Sequence, residues 1–249
     1  MRHGARPMQN ITRRGAGASL VRRALNLGRK LRAGLTPFGE NVSPEVPNDL
    51  FVAHLSIYEF SSRFTARARV LDLGSGAGYG SDLLRSRGAT EVVGLDVDSR
   101  NVRYATRRYP LVRFVHGDAH RLPGDLGLFD CVVASNVLEH LNDVTGTLDD
   151  LRKMTKRLII AVPPIVDAAS LRANEAIPYH RSNLSVSRWI ELLSTRFSSV
   201  TTYRHFPRTG IDPDFTNPFR SALTTADFAF EEADLLAKPT LTAIFVASM

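Results

Sequence analysis

The sequence predicts an α/β protein built on a mostly parallel sheet with helices on both faces. Three observations predict it. Short apolar segments alternate with amphipathic ones over 69–162, the pattern of a parallel sheet covered on both sides. The first apolar segment runs into a turn carrying Gly74, Gly76 and Gly78, and a helix pattern opens directly behind it. Glycines allow positive φ and close approach of a ligand to the backbone, and the helix start offers unpaired N–H groups. The second apolar segment ends on Asp96, an acid at a strand tip where it can accept hydrogen bonds from a ribose. Together these mark a site for an adenosine-containing cofactor.

The elements follow in chain order. Pro37, Pro44 and Pro47 mark a linker, and Asn48 or Asp49 can cap a helix over 50–61. That helix carries Leu50, His54, Leu55 and Tyr58 near one face. A strand over 69–73 leads to a helix over 79–87, a strand over 91–96 to a helix over 101–108, and then a strand over 112–116. Beyond a loop come a strand over 129–134, a helix over 145–154 and a strand over 157–162. After Pro163 and Pro164 the order is less regular until a helix over 187–197 and a strand over 199–205. The closing segment, 241–247, is apolar and rich in β formers. Residues 206–240 read as a connection long enough to be functional or mobile.

Composition bounds the class. The 249 residues, 43% hydrophobic and 23% charged, suit one globular domain with a full core. The single cysteine, Cys131, lies in the apolar run 129–134 and reads as a buried strand residue. One cysteine excludes an internal disulfide framework or a cysteine-rich zinc site, and it agrees with a cytoplasmic location. No apolar stretch approaches the roughly 18 residues of a membrane span. The net charge of +7 is uneven: nine Lys and Arg residues precede the first acid, Glu40, and the remainder holds 23 basic and 25 acidic residues. A near-neutral body disfavours a nucleic-acid partner, whose basic footprint belongs around the catalytic face. Residues 1–35 read as a basic, disordered extension. Within it, Leu20, Ala24, Leu27 and Leu31 fall at helical spacing among arginines, which would suit weak contact with a membrane surface. An Arg-rich, acid-free leader is also the composition of a transit peptide.

The spacing of the glycines narrows the cofactor. A dinucleotide fingerprint needs Gly-x-Gly-x-x-Gly; counted from Gly74 its last position falls on Tyr79, and counted from Gly76 on Ser81. The chain instead carries Gly-x-Gly-x-Gly with Asp72 two residues ahead. With the segments 70–79, 92–98, 113–123 and 129–141 in this order, it resembles the class I S-adenosylmethionine-dependent methyltransferases. The likeness is nearest to the small-molecule branch that contains the ubiquinone-biosynthesis O-methyltransferases. It spans 50–197 and, more weakly, the C-terminus.

The resemblance implies a seven-stranded Rossmann-like fold with an antiparallel last strand. It implies a methyltransferase domain over 62–249, preceded over 36–61 by a linker and a lid helix. It places Asp72, Gly74, Ser75, Gly76 and Gly78 around the methionine part of the cofactor. Asp96 and Val97 go to the ribose, Asp118 and the Ala119 N–H to the adenine, and Ser135 and Asn136 to the methionine end.

The expected function is methyl transfer to a small molecule, at a hydroxyl oxygen of a glycan, glycolipid or secondary metabolite. Such a reaction is mainly positioning of the acceptor in line with the methyl–sulfur bond. Glu139-His140 follows the fourth strand, on the edge where open α/β sheets bind ligands. His140 can deprotonate an acceptor hydroxyl, although Glu-His-Leu can equally serve to pack the loop. His180 is a second base or an acceptor contact. Related small-RNA 2′-O-methyltransferases place Glu-x-x-Glu-His here, with a distant histidine, to bind a divalent cation. In this chain Asn136 replaces the first carboxylate; hard cations prefer charged oxygens, so no metal is expected. Two other classes stay open. An RNA or protein methyltransferase is favoured by the tail. It is disfavoured by the near-neutral body and by Ala134-Ser-Asn-Val137, where amino-group enzymes carry Asn-Pro-Pro-Tyr. The other is a cofactor-binding module without turnover. A cytoplasmic protein, peripheral to a membrane through its tail, fits the composition.

Overall fold

A computed structural model describes residue 42 and residues 44–249. The basic tail and the amphipathic pattern within it lie outside the described residues. The first helix, α1 (Asp49–Ser61), starts where Asn48 accepts a hydrogen bond from Phe51 N through its side chain. The strands β1 (Arg69–Leu73), β2 (Glu91–Asp96), β3 (Arg113–His116), β4 (Cys131–Ser135) and β5 (Arg157–Val162) are parallel neighbours. They alternate with α2 (Tyr79–Ser86), α3 (Ser99–Arg108) and α4 (Val144–Met154). Then follow α5 (Ala168–Glu175), α6 (Val186–Ser194), β6 (Ser199–Pro207), β7 (Phe228–Glu232) and β8 (Thr242–Ser248). One sheet collects all the strands in the order β3-β2-β1-β4-β5-β8-β6-β7.

The strands bury both faces, and residue parity sorts their side chains. Leu71, Leu73, Val132, Ala134, Leu158, Ile160 and Phe245 join Leu148 and Leu151 of α4 and Trp189 and Leu193 of α6 in one core. Their neighbours Val70, Val92, Cys131, Val133, Ile159 and Ile244 join Ile57, Tyr58 and Phe60 of α1 and Leu84 of α2 in the other. Cys131 is buried, as a strand residue should be.

The expected architecture holds, with additions. The sheet has eight strands rather than seven. β8 is antiparallel to both β5 and β6, as expected of the last strand, and β7 extends the edge beyond β6. The supposed long connection over 206–240 therefore contains a strand. β4 begins at Cys131, because Phe129 makes only an isolated bridge to Thr155. α5 was not expected either; Asp167 and Ser170 form a reciprocal capping box at its start.

The chain between β6 and β7 also clasps the start of α1. Asp214 N donates to Asp49 Oδ2 at 2.7 Å, and Ser221 Oγ donates to the other oxygen of the same carboxylate. Asn48 Nδ2 donates to Asn217 O, and Ser221 N to Pro47 O. Phe51, Val52 and Ala53 pack with Phe215 and Phe228 beneath these bonds. Among the described residues no helix is long and apolar enough to cross a membrane.

Candidate active site

The C-terminal ends of the parallel strands bring most of the sequence-predicted residues to one edge of the sheet. Leu73 of β1 pairs in register with Leu95 of β2 and Ala134 of β4, and Asp96 of β2 with His116 of β3. The turn after β1 is held from β2: Gly74 N and Ser75 N both donate to Leu95 O, at 2.8 and 2.9 Å. Gly74, Gly76 and Gly78 all have positive φ. At Gly74 a second constraint applies. A Cβ there would lie 2.5 Å from Val137 Cγ2, so only glycine lets the turn close against the loop after β4. Gly78 is the left-handed N-cap of α2.

Asp96, expected at the ribose, holds the local fold together. Its carboxylate accepts from Gly76 N at 2.8 Å, Asp98 N at 2.8 Å and Asn101 Nδ2 at 3.1 Å, and the residue is only 7% exposed. It therefore ties the glycine turn to the start of α3. Val97, next to it, is exposed. Asp72 is fully buried and accepts from Tyr58 Oη of α1 at 3.0 Å and Ser81 Oγ of α2 at 2.5 Å. Burial raises its pKa to about 7, against the pull of the Ser81 and Tyr58 hydrogen bonds, and nearby Asp96 adds to the rise. Tyr58 is pushed up as well, by its own burial and then by the charge of Asp72.

Asp118 stands exposed in the loop after β3, and its Oδ1 accepts from His120 N at 2.9 Å and His120 Nδ1 at 2.8 Å. Those bonds hold its carboxyl below the usual carboxylate range. Asn142 N donates to His120 Nε2, so the ring proton sits on Nδ1 and points at Asp118. His120 thus links the loops after β3 and β4. Ala119 is buried, and its carbonyl oxygen accepts from Thr147 Oγ1. Ser135 ends β4, and Asn136 follows with φ +52°, its N–H donated to Ala161 O.

His140 and His180 meet, although 40 positions apart. Their ring centroids are 5.1 Å apart and nearly perpendicular. Arg181 N and Ser182 N both donate to Glu139 O, at 2.8 and 2.9 Å, which draws the loop bearing His180 onto the segment bearing His140. His140 Nδ1 faces Tyr179 O at 3.3 Å. His180 Nδ1 donates to Asn174 Oδ1 at 2.5 Å, and Asn174 Nδ2 donates to Asn183 Oδ1. Desolvation lowers the pKa of both rings. For His180, with His140 adding to the effect, it falls to about 4; for His140, backbone hydrogen bonds to Tyr179 and Asn136 oppose the fall.

Sequence reasoning missed Tyr58, Ser81, Asn101, His120 and Asn174. Ser81 and Asn101 sit one turn inside helices that follow the predicted motifs, a signal that was present. Tyr58 is reached only through a tertiary contact, while His120 and Asn174 bond to residues two and six positions away in loops that carry no periodic signal.

Comparison with known proteins supplies the family. A methyltransferase-domain family model matches residues 71–158, the stretch that contains the glycine turn, Asp96, Asp118 and Glu139-His140. The "probable S-adenosylmethionine-dependent methyltransferase" of Mycolicibacterium smegmatis is 30% identical over 170 residues, 66% of this chain and 66% of that protein. The chain belongs to the class I S-adenosylmethionine-dependent methyltransferases. A demethylmenaquinone methyltransferase of Beutenbergia cavernae is 38% identical over 96 residues, 37% of this chain and 40% of that protein. A solved methyltransferase of Thermotoga maritima shares the fold with a TM-score of 0.61 at 15% identity, covering 79% of this chain and 89% of that one. The chain spans about two thirds or less of the length of the first curated relatives it matches. The methyltransferase cofactor, S-adenosylmethionine, suits the residues present. Ser75 Oγ is buried in the glycine turn without a hydrogen-bond partner among the described residues, and a buried hydroxyl of that kind calls for one.

Proposed function

We propose that this methyltransferase acts on a small-molecule acceptor, at a hydroxyl oxygen of a glycan, glycolipid or secondary metabolite. The observation that carries the reading is the meeting of His140 and His180 on the strand edge that holds the cofactor turn. S-adenosylmethionine, when bound, supplies a methyl group on an already activated sulfonium. The chain's own residues then bind and orient. Asp72, Ser75 and the amides around Gly74, Gly76 and Gly78 would hold the methionine part, with Ser135 and Asn136 at its end. Asp96 and Val97 would hold the ribose, and Asp118 and Ala119 the adenine. The α1 helix, through Tyr58, would close the site as its lid.

At the acceptor end, a hydroxyl must lose its proton. His180 is a weak base, since its proton affinity is held low, which leaves His140 as the ring to receive it. A small acceptor is supported by the near-neutral charge of residues 40–249 and by a relative named as a demethylmenaquinone methyltransferase. The basic tail favours a second arrangement, with the enzyme resting on an anionic membrane surface beside a lipid-like acceptor.

Two measurements test this. Calorimetry should show S-adenosylhomocysteine binding and no nicotinamide dinucleotide binding; the reverse preference overturns the cofactor assignment. Labelled S-adenosylmethionine offered to extracts of the source cell should label small molecules. Label confined to RNA or protein would reject the acceptor class.

A further inference from the structure

We propose that His120 sets the base specificity of the cofactor site. It fixes the Asp118 carboxylate as a pure acceptor, so that the site takes a purine with a 6-amino group and rejects one with a 6-keto group. This rests on the reading that Asp118 meets the adenine. The loop after β3 is anchored where that reading needs it. Gly117 N donates to Asp96 O at 3.0 Å, and His116 Nε2 faces Val97 O at 3.0 Å. Asp118 therefore follows directly on residues tied to the segment expected at the ribose.

The chemistry follows from the two oxygens of one carboxylate. Oδ1 accepts from both His120 N and His120 Nδ1. Oδ2 has no partner among the described residues, and the side chain is 54% exposed. An ionised carboxylate accepts hydrogen bonds and donates none, so Oδ2 attracts an exocyclic N–H and repels a carbonyl oxygen. A protonated carboxyl would serve either group, and a freely turning one would discriminate weakly. His120 opposes both. Its backbone and ring donors converge on one oxygen, fix the side-chain torsion and hold the carboxyl below its usual range. The ring keeps its donor on Nδ1 because Asn142 N donates to Nε2 at 3.0 Å. A partly exposed histidine ordinarily exchanges tautomers; here the backbone of the loop after β4 selects one. Asp118 acts on the base, and His120 acts through Asp118 as a positioning residue.

The test compares calorimetric dissociation constants of the full chain for S-adenosylhomocysteine and S-inosylhomocysteine, which carry the 6-amino and the 6-keto group. The adenosine compound should bind about tenfold or more tightly. Asp118→Asn should remove most of that preference, because an amide can turn either its oxygen or its nitrogen to the base. His120→Ala should cut the preference by about 3–10-fold. The ratio is taken on one sample, so a partly unfolded variant leaves it unchanged. Two more variants separate positioning of Asp118 from holding the two loops together. An asparagine amide nitrogen takes the place of Nδ1, and a glutamine amide oxygen that of Nε2. His120→Asn should therefore restore the preference, and His120→Gln should not. Equal weakening of both compounds in His120→Ala overturns the proposal, as does rescue by His120→Gln alone. A preference untouched by Asp118→Asn would show that the adenine lies elsewhere, and the proposal falls with that reading.

Discussion

Two buried carboxylates flank the glycine turn, and they answer to different tests. Asp96 holds Gly76 N, Asp98 N and Asn101 Nδ2 at once, so its removal strikes structure as well as binding. Asp96→Ala should weaken S-adenosylhomocysteine by about tenfold or more. It should also lower unfolding stability by about 1–3 kcal/mol, since a buried Gly76 N–H loses its acceptor. Calorimetry and urea unfolding separate the two effects, and an unchanged dissociation constant would place the ribose elsewhere. Asp72 gives a pH signature. Its folded pKa, about 7, lies above its ordinary 3.8, so the folded chain keeps a proton that the unfolded chain has lost. The stability it contributes is fully present below about pH 4 and falls as pH rises to about 7, by at most roughly 4 kcal/mol. In the cofactor-free protein, urea unfolding at pH 5 and pH 8 should show this fall, and Asp72→Asn should flatten it. Equal slopes in the two proteins would show that Asp72 is ionised throughout.

Helix α1 meets α2 through a missing side chain. Gly80, inside α2, lies so close to Tyr58 that a Cβ would fall 2.2 Å from Tyr58 Cζ. Alanine ordinarily favours a helix over glycine by about 1 kcal/mol, but here overpacking should reverse the sign. Gly80→Ala should destabilise by about 1–3 kcal/mol, and in a Tyr58→Ala background it should turn neutral or stabilising. Additivity of the two changes in urea unfolding would mean that α1 does not rest on this glycine. What the sequence made legible follows the same division between local and distant causes. β1, β2 and β5 fall where periodicity puts them, because short apolar runs between helix signals are local. β7 was missed because Phe-Ala-Phe-Glu-Glu has no continuous apolar run, and its burial comes from Phe228 and Phe230 packing on His205 of β6. The glycine turn and its acids were readable from spacing. His180 as a distant partner of Glu139-His140 came from the family resemblance and not from spacing, since backbone bonds to Glu139 O create the nearness and any residue type could supply them.

The molecule as a whole gathers its family motifs into residues beyond the basic tail. Removing residues 1–35 should leave S-adenosylhomocysteine affinity unchanged by calorimetry; loss of binding in a folded product would make the tail part of the site. The clasp on α1 acts at the largest sequence separation among the hydrogen bonds of the described residues. Its bonds join residues 165, 169 and 172 positions apart, and Tyr58 of the same helix reaches Asp72, two residues before the glycine turn. On the ribosome, the strands around that turn and the α2 partner of α1 emerge early, yet the start of α1 is not clasped until Asp214–Ser221 has left the exit tunnel. Closing so long a loop is entropically expensive and comes late. The N-terminal turn of α1 is therefore fastened late in synthesis, after the body of the same helix can already pack on β1 and α2.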